Sequence, residues 1–265
     1  MNDPRNPYAP PATHVADQED PPLTDSGRFI PYGRSLSPGR GAGWIGDAWR
    51  LLRAQPGMWA GALILLFIAY IVLSMIPVVS LFLQLLLPFI YAGIAAAADQ
   101  QRRTGTFELG ALLVGFKKQP VSLLAVSGVV ILAGVVFIGV LAIFLGAEAF
   151  GIVLRDGQTD PSLFFSTRFW LAFLVAIAFT VPVSFATYLA PQLIVLHDQP
   201  ALTAMKMSLA GCFKNILPGV VFFLCIIVLV VVSMIPLLLG LLISIPIMVI
   251  TNYTVYRDIF VEENT

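Results

Sequence analysis

His197 and Asp198 are adjacent, and this pair comes closest to a catalytic motif: an imidazole that could act as a base beside a carboxylate that could orient it. The pair follows a long apolar run and precedes Pro200, a position where a polar turn ordinarily starts a new helix. Catalysis would require charged or nucleophilic side chains to converge on these two residues. We find no sequence pattern that predicts such a cluster, and we expect a non-enzymatic protein.

The two cysteines, Cys212 and Cys225, have neither the paired spacing nor the histidine neighbours of a zinc site or a disulfide framework. We expect them to pack as small apolar side chains. No glycine-rich phosphate loop occurs, and 15 basic residues balanced by 15 acidic ones give no reason to expect nucleic acid as a partner. The sequence therefore predicts no metal and no cofactor.

The composition is that of a membrane protein. Of 265 residues, 58% are apolar and 11% are charged, whereas soluble domains carry about 25% charged residues. Four blocks contain no Asp, Glu, Lys or Arg: residues 57–98, 119–147, 169–196 and 217–256. Since a bilayer-spanning helix needs about 20 apolar residues, these blocks hold roughly two, one, one and two spans.

We therefore predict an all-α, six-span transmembrane helical bundle. The predicted spans are residues 58–76, 79–98, 121–145, 169–196, 217–235 and 237–256. The third span is rich in glycine (Gly128, Gly134, Gly139 and Gly146), which favours close packing against a neighbouring helix.

The spans form three hairpin repeats, each preceded by a predicted cytoplasmic amphipathic helix at the membrane interface. The tetrapeptide Ser-Met-Ile-Pro occurs at residues 74–77 and again at 233–236, and a base shortly before a proline ends each amphipathic helix. The three amphipathic helices are predicted from Gly43, over residues 107–118 and over residues 202–216. Duplication of a stable hairpin explains the repeat without any functional role.

Orientation follows from the distribution of Lys and Arg. Thirteen of the fifteen lie on one side of the six-span scheme, and only Arg155 and Arg168 lie on the other. Basic residues favour the cytoplasmic side. We thus predict a bacterial inner-membrane protein with both termini in the cytoplasm.

The amphipathic helices supply candidates for a rim that binds anionic lipid headgroups or protein partners, because anionic lipid attracts each nearby cation by about 1 kcal/mol and tryptophan favours the interface. These candidates are Trp44, Trp49, Arg50, Arg53, Lys117, Lys118, Lys206 and Lys214. Ordinary membrane anchoring, without a regulatory role, is the alternative.

Tyr188, Gln192 and Asn252 are candidates for a shallow cavity near the cytoplasmic ends of spans four and six. They could equally bond to the carbonyl groups that Pro191 and Pro246 leave without a partner. An open cavity would favour a permease, and a tightly packed bundle would favour a scaffold.

Three segments make up the chain. Residues 1–42, with eight prolines, are predicted to be a disordered cytoplasmic tail. Residues 43–261 are predicted to form the membrane domain, and residues 262–265 a short C-terminal tail.

Several motifs resemble an uncharacterised family of proteobacterial multi-pass inner-membrane proteins. They are Gly43-Trp44 with Trp49, Ala190-Pro191-Gln192-Leu193, Cys212-Phe213-Lys214-Asn215, and Tyr256-Arg257-Asp258-Ile259-Phe260. The pattern is more distantly similar to the membrane domain fused to some glycerophosphodiester phosphodiesterases, whose catalytic domain has no counterpart in this sequence. The resemblance implies no particular activity. From the residues themselves we expect a membrane component acting through lipid or protein partners, in scaffolding or envelope maintenance. The alternative is a permease or exporter subunit for an apolar or lipid-like solute. The oligomeric state stays open.

Overall fold

Prolines mark the starts of several long helices. The computed structural model describes residues 23–24, 27–146, 166–235 and 239–262, and Pro56, Pro77 and Pro120 each lie in the first turn of a helix. A proline is tolerated there because an N–H at that position would have no partner within the helix. In chain order the helices are α1 (Arg40–Ala54), α2 (Pro56–Ser74), α3 (Pro77–Thr104), a 3-10 helix (Leu109–Leu113), α4 (Val114–Lys117), α5 (Pro120–Leu145), α6 (Thr167–Tyr188), α7 (Ala190–His197), α8 (Ala201–Lys214), α9 (Ile216–Met234) and α10 (Leu241–Phe260).

Five helical stretches are long and apolar enough to cross a bilayer, as expected of a multi-pass membrane protein. They are Pro56–Ser74, Phe82–Thr104, Pro120–Phe144, Thr167–His197 and Ile216–Met234, and they correspond to the first five predicted spans. The sixth predicted span, residues 237–256, corresponds to α10, which is not among the five. Its second half is polar and buried in the protein. The mostly helical fold is confirmed, and the count of six spans stays a prediction.

The fourth predicted span is broken at Leu189, between α6 and α7. In a continuous helix the Leu189 N–H would bond to the carbonyl oxygen of Phe185. Instead the hydroxyl of Ser208, on α8, lies between them: it accepts from Leu189 N at 3.0 Å and donates to Phe185 O at 2.6 Å. A side chain inserted into the helical hydrogen-bond ladder is a recognised cause of such breaks.

The short helices α1, α4 and α8 lie at one end of the bundle, together with the C-terminal ends of α3, α7 and α10. We call this the basic end, because Arg50, Arg53, Lys117, Lys118, Lys206 and Lys214 lie there, on or next to α1, α4 and α8. The buried core is concentrated at this end and includes Trp44, Trp59, Leu193, Tyr253 and Phe260. Away from the basic end, α2, α5, α6 and α9 present exposed apolar side chains, which is the pattern of helices that face lipid.

The predicted apolar stripe of the first amphipathic helix packs on the protein itself. Trp44, Ala48 and Leu52 are buried where α1 packs against α10 and α9. Trp49 lies on the other side and is 43% exposed. Periodicity identified the stripe, but the assignment of both tryptophans to the membrane interface is wrong for Trp44.

Three short strands at the basic end were not predicted. β1 (Leu23–Thr24), β2 (Gly27–Phe29) and β3 (Val261–Glu262) form an antiparallel sheet in that order. In this sheet Arg28 is opposite Glu262 and Phe29 is opposite Val261.

The boundary of the predicted disordered tail, at residue 42, is therefore wrong. Residues 27–39, which we call the N-terminal segment, include β2 and reach the start of α1. Hydrogen bonds from Ile30 N to Phe260 O and from Arg34 N to Ile259 O hold them against the chain's C-terminal region. Residues 1–22 and 25–26 of the predicted tail and residues 263–265 lie outside the described residues.

Close helix approaches occur at glycines other than those predicted. A side chain at Gly128, Gly134, Gly139 or Gly146 would meet nothing within 4 Å among the described residues, so the packing of this span against them does not require glycine at these positions. A Cβ at Gly93 of α3 would lie 2.0 Å from Leu112 O, and one at Gly115 would lie 2.4 Å from Phe89 O. Backbone-to-backbone contact thus joins α3 to the segment Leu109–Lys117.

We predict that Gly93→Ala destabilises the protein while Gly128→Ala does not. The added methyl group at residue 93 meets a backbone oxygen that cannot rotate away, and overpacking of this kind costs about 1–3 kcal/mol. At residue 128 the helix gains up to about 1 kcal/mol from the propensity of alanine. Thermal unfolding of both variants in the same detergent measures the difference. Equal Tm values for the two variants would contradict the packing described here.

Candidate functional site

Asp258, in the last turn of α10, is the centre of the polar contacts at the basic end. Its carboxylate accepts from Arg34 Nη2 at 3.2 Å, from Arg40 Nε at 2.7 Å and from Trp44 Nε1 at 2.8 Å. Only 10% of its side chain is exposed. We call these four residues the Asp258 cluster. The hydrogen bond to Asp258 raises the pKa of Arg40, although partial burial acts in the opposite direction.

The end of α8 fastens the N-terminal segment from the other side. Lys214 Nζ donates to the carbonyl oxygens of Tyr32 and Gly33 at 3.1 and 2.9 Å. The side chain of Asn215 donates to Arg34 O at 2.8 Å and accepts from Leu36 N at 2.9 Å. A buried amide and a lysine thus satisfy backbone groups that belong to no helix or strand.

The predicted rim residues separate into two groups. Trp49, Arg50, Arg53, Lys117 and Lys206 are exposed at the basic end. The remaining three bind other parts of the protein: Trp44 belongs to the Asp258 cluster, Lys118 donates to Val195 O at 2.9 Å, and Lys214 bonds to the N-terminal segment. Lys214 is nevertheless exposed as well, so six of the eight candidates face outward, and one of these, Arg50, also pairs with Asp47 at 3.4 Å.

Two of the predicted cavity residues bond to each other. Gln192 Nε2 donates to Asn252 Oδ1, and both residues are buried. Tyr188 lies beside Asn252 and is 40% exposed. The side-chain oxygen of Gln192, Oε1, is buried and has no hydrogen-bond partner among the described residues. The hydrogen bond observed for this pair thus joins the two amides to each other, and not to backbone carbonyl groups that Pro191 and Pro246 leave without a partner.

Polar side chains do converge on His197. Its Nε2 is hydrogen-bonded to the hydroxyl group of Tyr256, and its ring stacks on Phe29 with ring centroids 3.9 Å apart. The neighbouring ion pair joins Asp99 and Arg103 at 2.6 Å. A small cavity of about 10 Å³, which is space for about one water molecule, lies between His197, Tyr256, Asp99, Arg103, Leu196, Arg257 and Val261.

Asp198 does not orient His197. Its carboxylate is turned to Lys118, at 3.0 Å, and 62% of its side chain is exposed. A base–carboxylate pair is therefore not assembled, and the small cavity beside His197 leaves no room for an organic substrate. Among the described residues, no three of His, Cys, Asp and Glu lie close enough together to hold a metal ion.

The thiol of Cys212 fits the predicted packing role. Burial on α8 raises its pKa to about 12, so that it stays protonated and unreactive near neutral pH. Cys225 lies on α9 and is partly buried.

Several residues that organise this end were not identified from the sequence as functional. Asp99, Gln101 and Asn215 each connect elements that are distant in sequence; for example, Gln101 bonds to Trp59 Nε1 at 2.7 Å and to Leu51 O at 2.9 Å. The sequence feature that could have identified them is their position near the ends of apolar blocks. A polar residue at a helix end inside a bundle needs a hydrogen-bond partner.

We predict that the Gln192–Asn252 pair shows strong coupling in a double-mutant cycle. Gln192→Met or Asn252→Leu alone leaves a buried amide without its partner, at a cost of about 1–3 kcal/mol. Changing both together removes that penalty and is nearly neutral. Thermal unfolding of the two single variants and the double variant gives the coupling. Additive losses of stability would show that the two amides act independently.

Comparison of the chain with protein-family models, with curated proteins and with solved structures gave no match.

Proposed function

We propose that this protein is a six-span bacterial inner-membrane component, with both termini in the cytoplasm, that acts through anionic lipid or protein partners rather than by catalysis. Scaffolding or envelope maintenance is the role we favour. The proposal treats the chain as three units, each with a short helix at the basic end followed by two long helices. The resemblance to uncharacterised proteobacterial inner-membrane proteins supports the same setting.

One observation carries the proposal: the exposed cations and Trp49 surround an end of the bundle that is otherwise densely packed and hydrogen-bonded. Arg53, Lys117 and Lys206 lie on three different short segments and are all exposed. Beyond them the long helices present apolar surface. Exposed cations at the end of a bundle of apolar helices attract anionic headgroups.

The packed interior supports a scaffold over a permease. A permease needs a path lined by groups that contact solute, whereas Gln192 and Asn252 are buried and bonded to each other. The permease or exporter subunit remains the second candidate because Gln192 Oε1 is buried beside the break at Leu189 without a partner among the described residues. Such an atom could accept a hydrogen bond from a polar group of a solute.

We predict that replacing the three exposed rim cations removes enrichment of anionic lipid around the protein. The test variant is Arg53→Gln/Lys117→Gln/Lys206→Gln, and the matched control is Arg53→Lys/Lys117→Arg/Lys206→Arg, which keeps the charge. Each cation contributes about 1 kcal/mol, or about fivefold in local lipid concentration. The measurement is mass spectrometry of lipids and proteins co-isolated in native lipid discs.

Wild type and the charge-conserving control should co-isolate with phosphatidylglycerol and cardiolipin above their bulk fraction, and the glutamine variant should not. A protein that co-isolates with wild type and is lost from the glutamine variant would support the partner form of the proposal. Equal lipid and protein profiles for all three proteins would overturn the proposal.

A further inference from the structure

The first part of the N-terminal segment, residues 27–33, is held separately from the part that follows it. We call residues 27–33 the flap. The flap belongs to no helix, and it is fixed by the pairing of β2 with β3 and by Lys214, whose Nζ donates to the carbonyl oxygens of the last two flap residues. The next residue, Arg34, donates to Asp258. The flap can therefore detach without any loss of contacts in the Asp258 cluster.

The flap buries little surface. Within it, the fully buried residues are Gly27 and Gly33, and Tyr32 is 47% exposed. Tyr32 and Gly33 also lie in the left-handed region of the backbone, with φ of +63° and +68°. That region strains a residue that carries a Cβ atom, such as tyrosine. Segments with few buried apolar contacts open locally before the rest of a protein does, and the strain at Tyr32 adds to this tendency.

Beneath the flap lies an aromatic groove at the C-terminal ends of α7 and α10, formed by His197, Tyr256 and Phe260. The ring of Phe29 occupies it: its centroid lies 3.9 Å from that of His197 and 6.4 Å from that of Phe260, and it is stacked with both. Tyr256 is hydrogen-bonded to His197 and stacked on Phe260. Contacts between aromatic rings are favourable beyond the area that they bury, so this groove selects an aromatic side chain. We call it the flap groove.

A strand edge runs beside these rings. β2 pairs with β3, and Ile30 N donates to Phe260 O at 2.8 Å. These backbone groups lose their partners when the flap detaches, and an exposed strand edge pairs readily with another extended chain. At the end of the flap, a Cβ at Gly33 would lie 2.6 Å from Ile259 Cγ2, so this position favours glycine. The flap groove therefore takes an extended segment with an aromatic residue and, four residues later, a glycine.

We propose that the flap groove is a docking site for an extended peptide segment of a protein partner, and that the flap is its autoinhibitory occupant. The partner's segment adds a strand to β3, places an aromatic side chain on His197 and Phe260, and carries a glycine four residues later. The inference goes beyond the exposed rim, and it holds whether or not Arg53, Lys117 and Lys206 bind lipid.

Two glycines of the N-terminal segment provide a matched test of flap opening. Gly33→Ala adds a methyl group against Ile259 at a left-handed φ, whereas a Cβ at Gly39, with φ −63°, meets no described atom within 4 Å. We expect amide hydrogen exchange at Ile30 to be about tenfold faster in Gly33→Ala than in wild type, and unchanged in Gly39→Ala. Exchange at Leu36, whose N–H is bound by Asn215, should be the same in all three proteins.

Phe29→Ala is a second test variant. It empties the flap groove without changing the backbone conformation that the flap requires, and it should behave as Gly33→Ala does.

Docking itself is measured with a synthetic peptide of residues 27–33 that carries a diazirine derivative of phenylalanine at the position of Phe29. The peptide is irradiated with each full-length protein in phosphatidylcholine nanodiscs, and cross-linked residues are located by mass spectrometry. We expect cross-links at His197 or Phe260, about tenfold more abundant in Gly33→Ala and Phe29→Ala than in wild type or Gly39→Ala. Unlabelled peptide of the native sequence should compete, and the same peptide with Phe29→Ala should not.

Hydrogen exchange that is unchanged in both Gly33→Ala and Phe29→Ala would show that the flap does not open, and would overturn the proposal. Faster exchange without cross-linking at His197 or Phe260 would also overturn it, because the open flap groove would then not accept a peptide. Equal competition by the native peptide and its alanine variant would show that the rings do not select an aromatic residue, with the same consequence.

Discussion

The structure depends on the hydrogen bonds and ion pairs made by one buried carboxylate, that of Asp258. Asp258 lies in the last turn of α10, a helix whose second half is mostly buried, and an unpaired charge in that position would cost several kcal/mol. Arg34, Arg40 and Trp44 supply the partners. Through them the N-terminal segment, α1 and α10 meet at one point, and the indole of Trp44 also packs against Phe222 of α9. A single carboxylate therefore connects the N-terminal segment and α1 to the last helix.

Outside the Asp258 cluster, the molecule divides into two regions that are stabilised by different kinds of contact. At the basic end, side chains such as Gln101, Ser208 and Asn215 form long-range hydrogen bonds inside a packed core. Beyond it the long helices are apolar and largely exposed, so contacts with lipid take the place of contacts within the protein. The groups that could recognise a partner or ligand are consequently concentrated at the basic end.

Much of the helical architecture could be predicted from the sequence because its signals are local. Uncharged blocks and prolines place the ends of α2, α5 and α9 and the start of α3 within about two residues of those observed, whereas α3 continues past the predicted end at residue 98 to Thr104. The Asp258 cluster has no local signal, since its members lie 214 to 224 residues from Asp258. For the same reason periodicity could identify the stripe containing Trp44 but could not show that α9 and α10 cover it. The N-terminal segment was assigned to a disordered tail because its composition is polar; its order comes from long-range partners such as Lys214 and Asn215.

The most direct test of this account is the thermal stability of Asp258→Asn compared with Asp198→Asn. Both changes remove one carboxylate charge at the basic end, but the Asp258 side chain is 10% exposed and bonded to three residues, whereas that of Asp198 is 62% exposed. We expect Asp258→Asn to lose about 2 kcal/mol, since hydrogen bonds to charged groups contribute about 1.5–3 kcal/mol, and Asp198→Asn to unfold close to the wild-type Tm. Equal Tm values for the two variants would show that Asp258 does not hold the structure together.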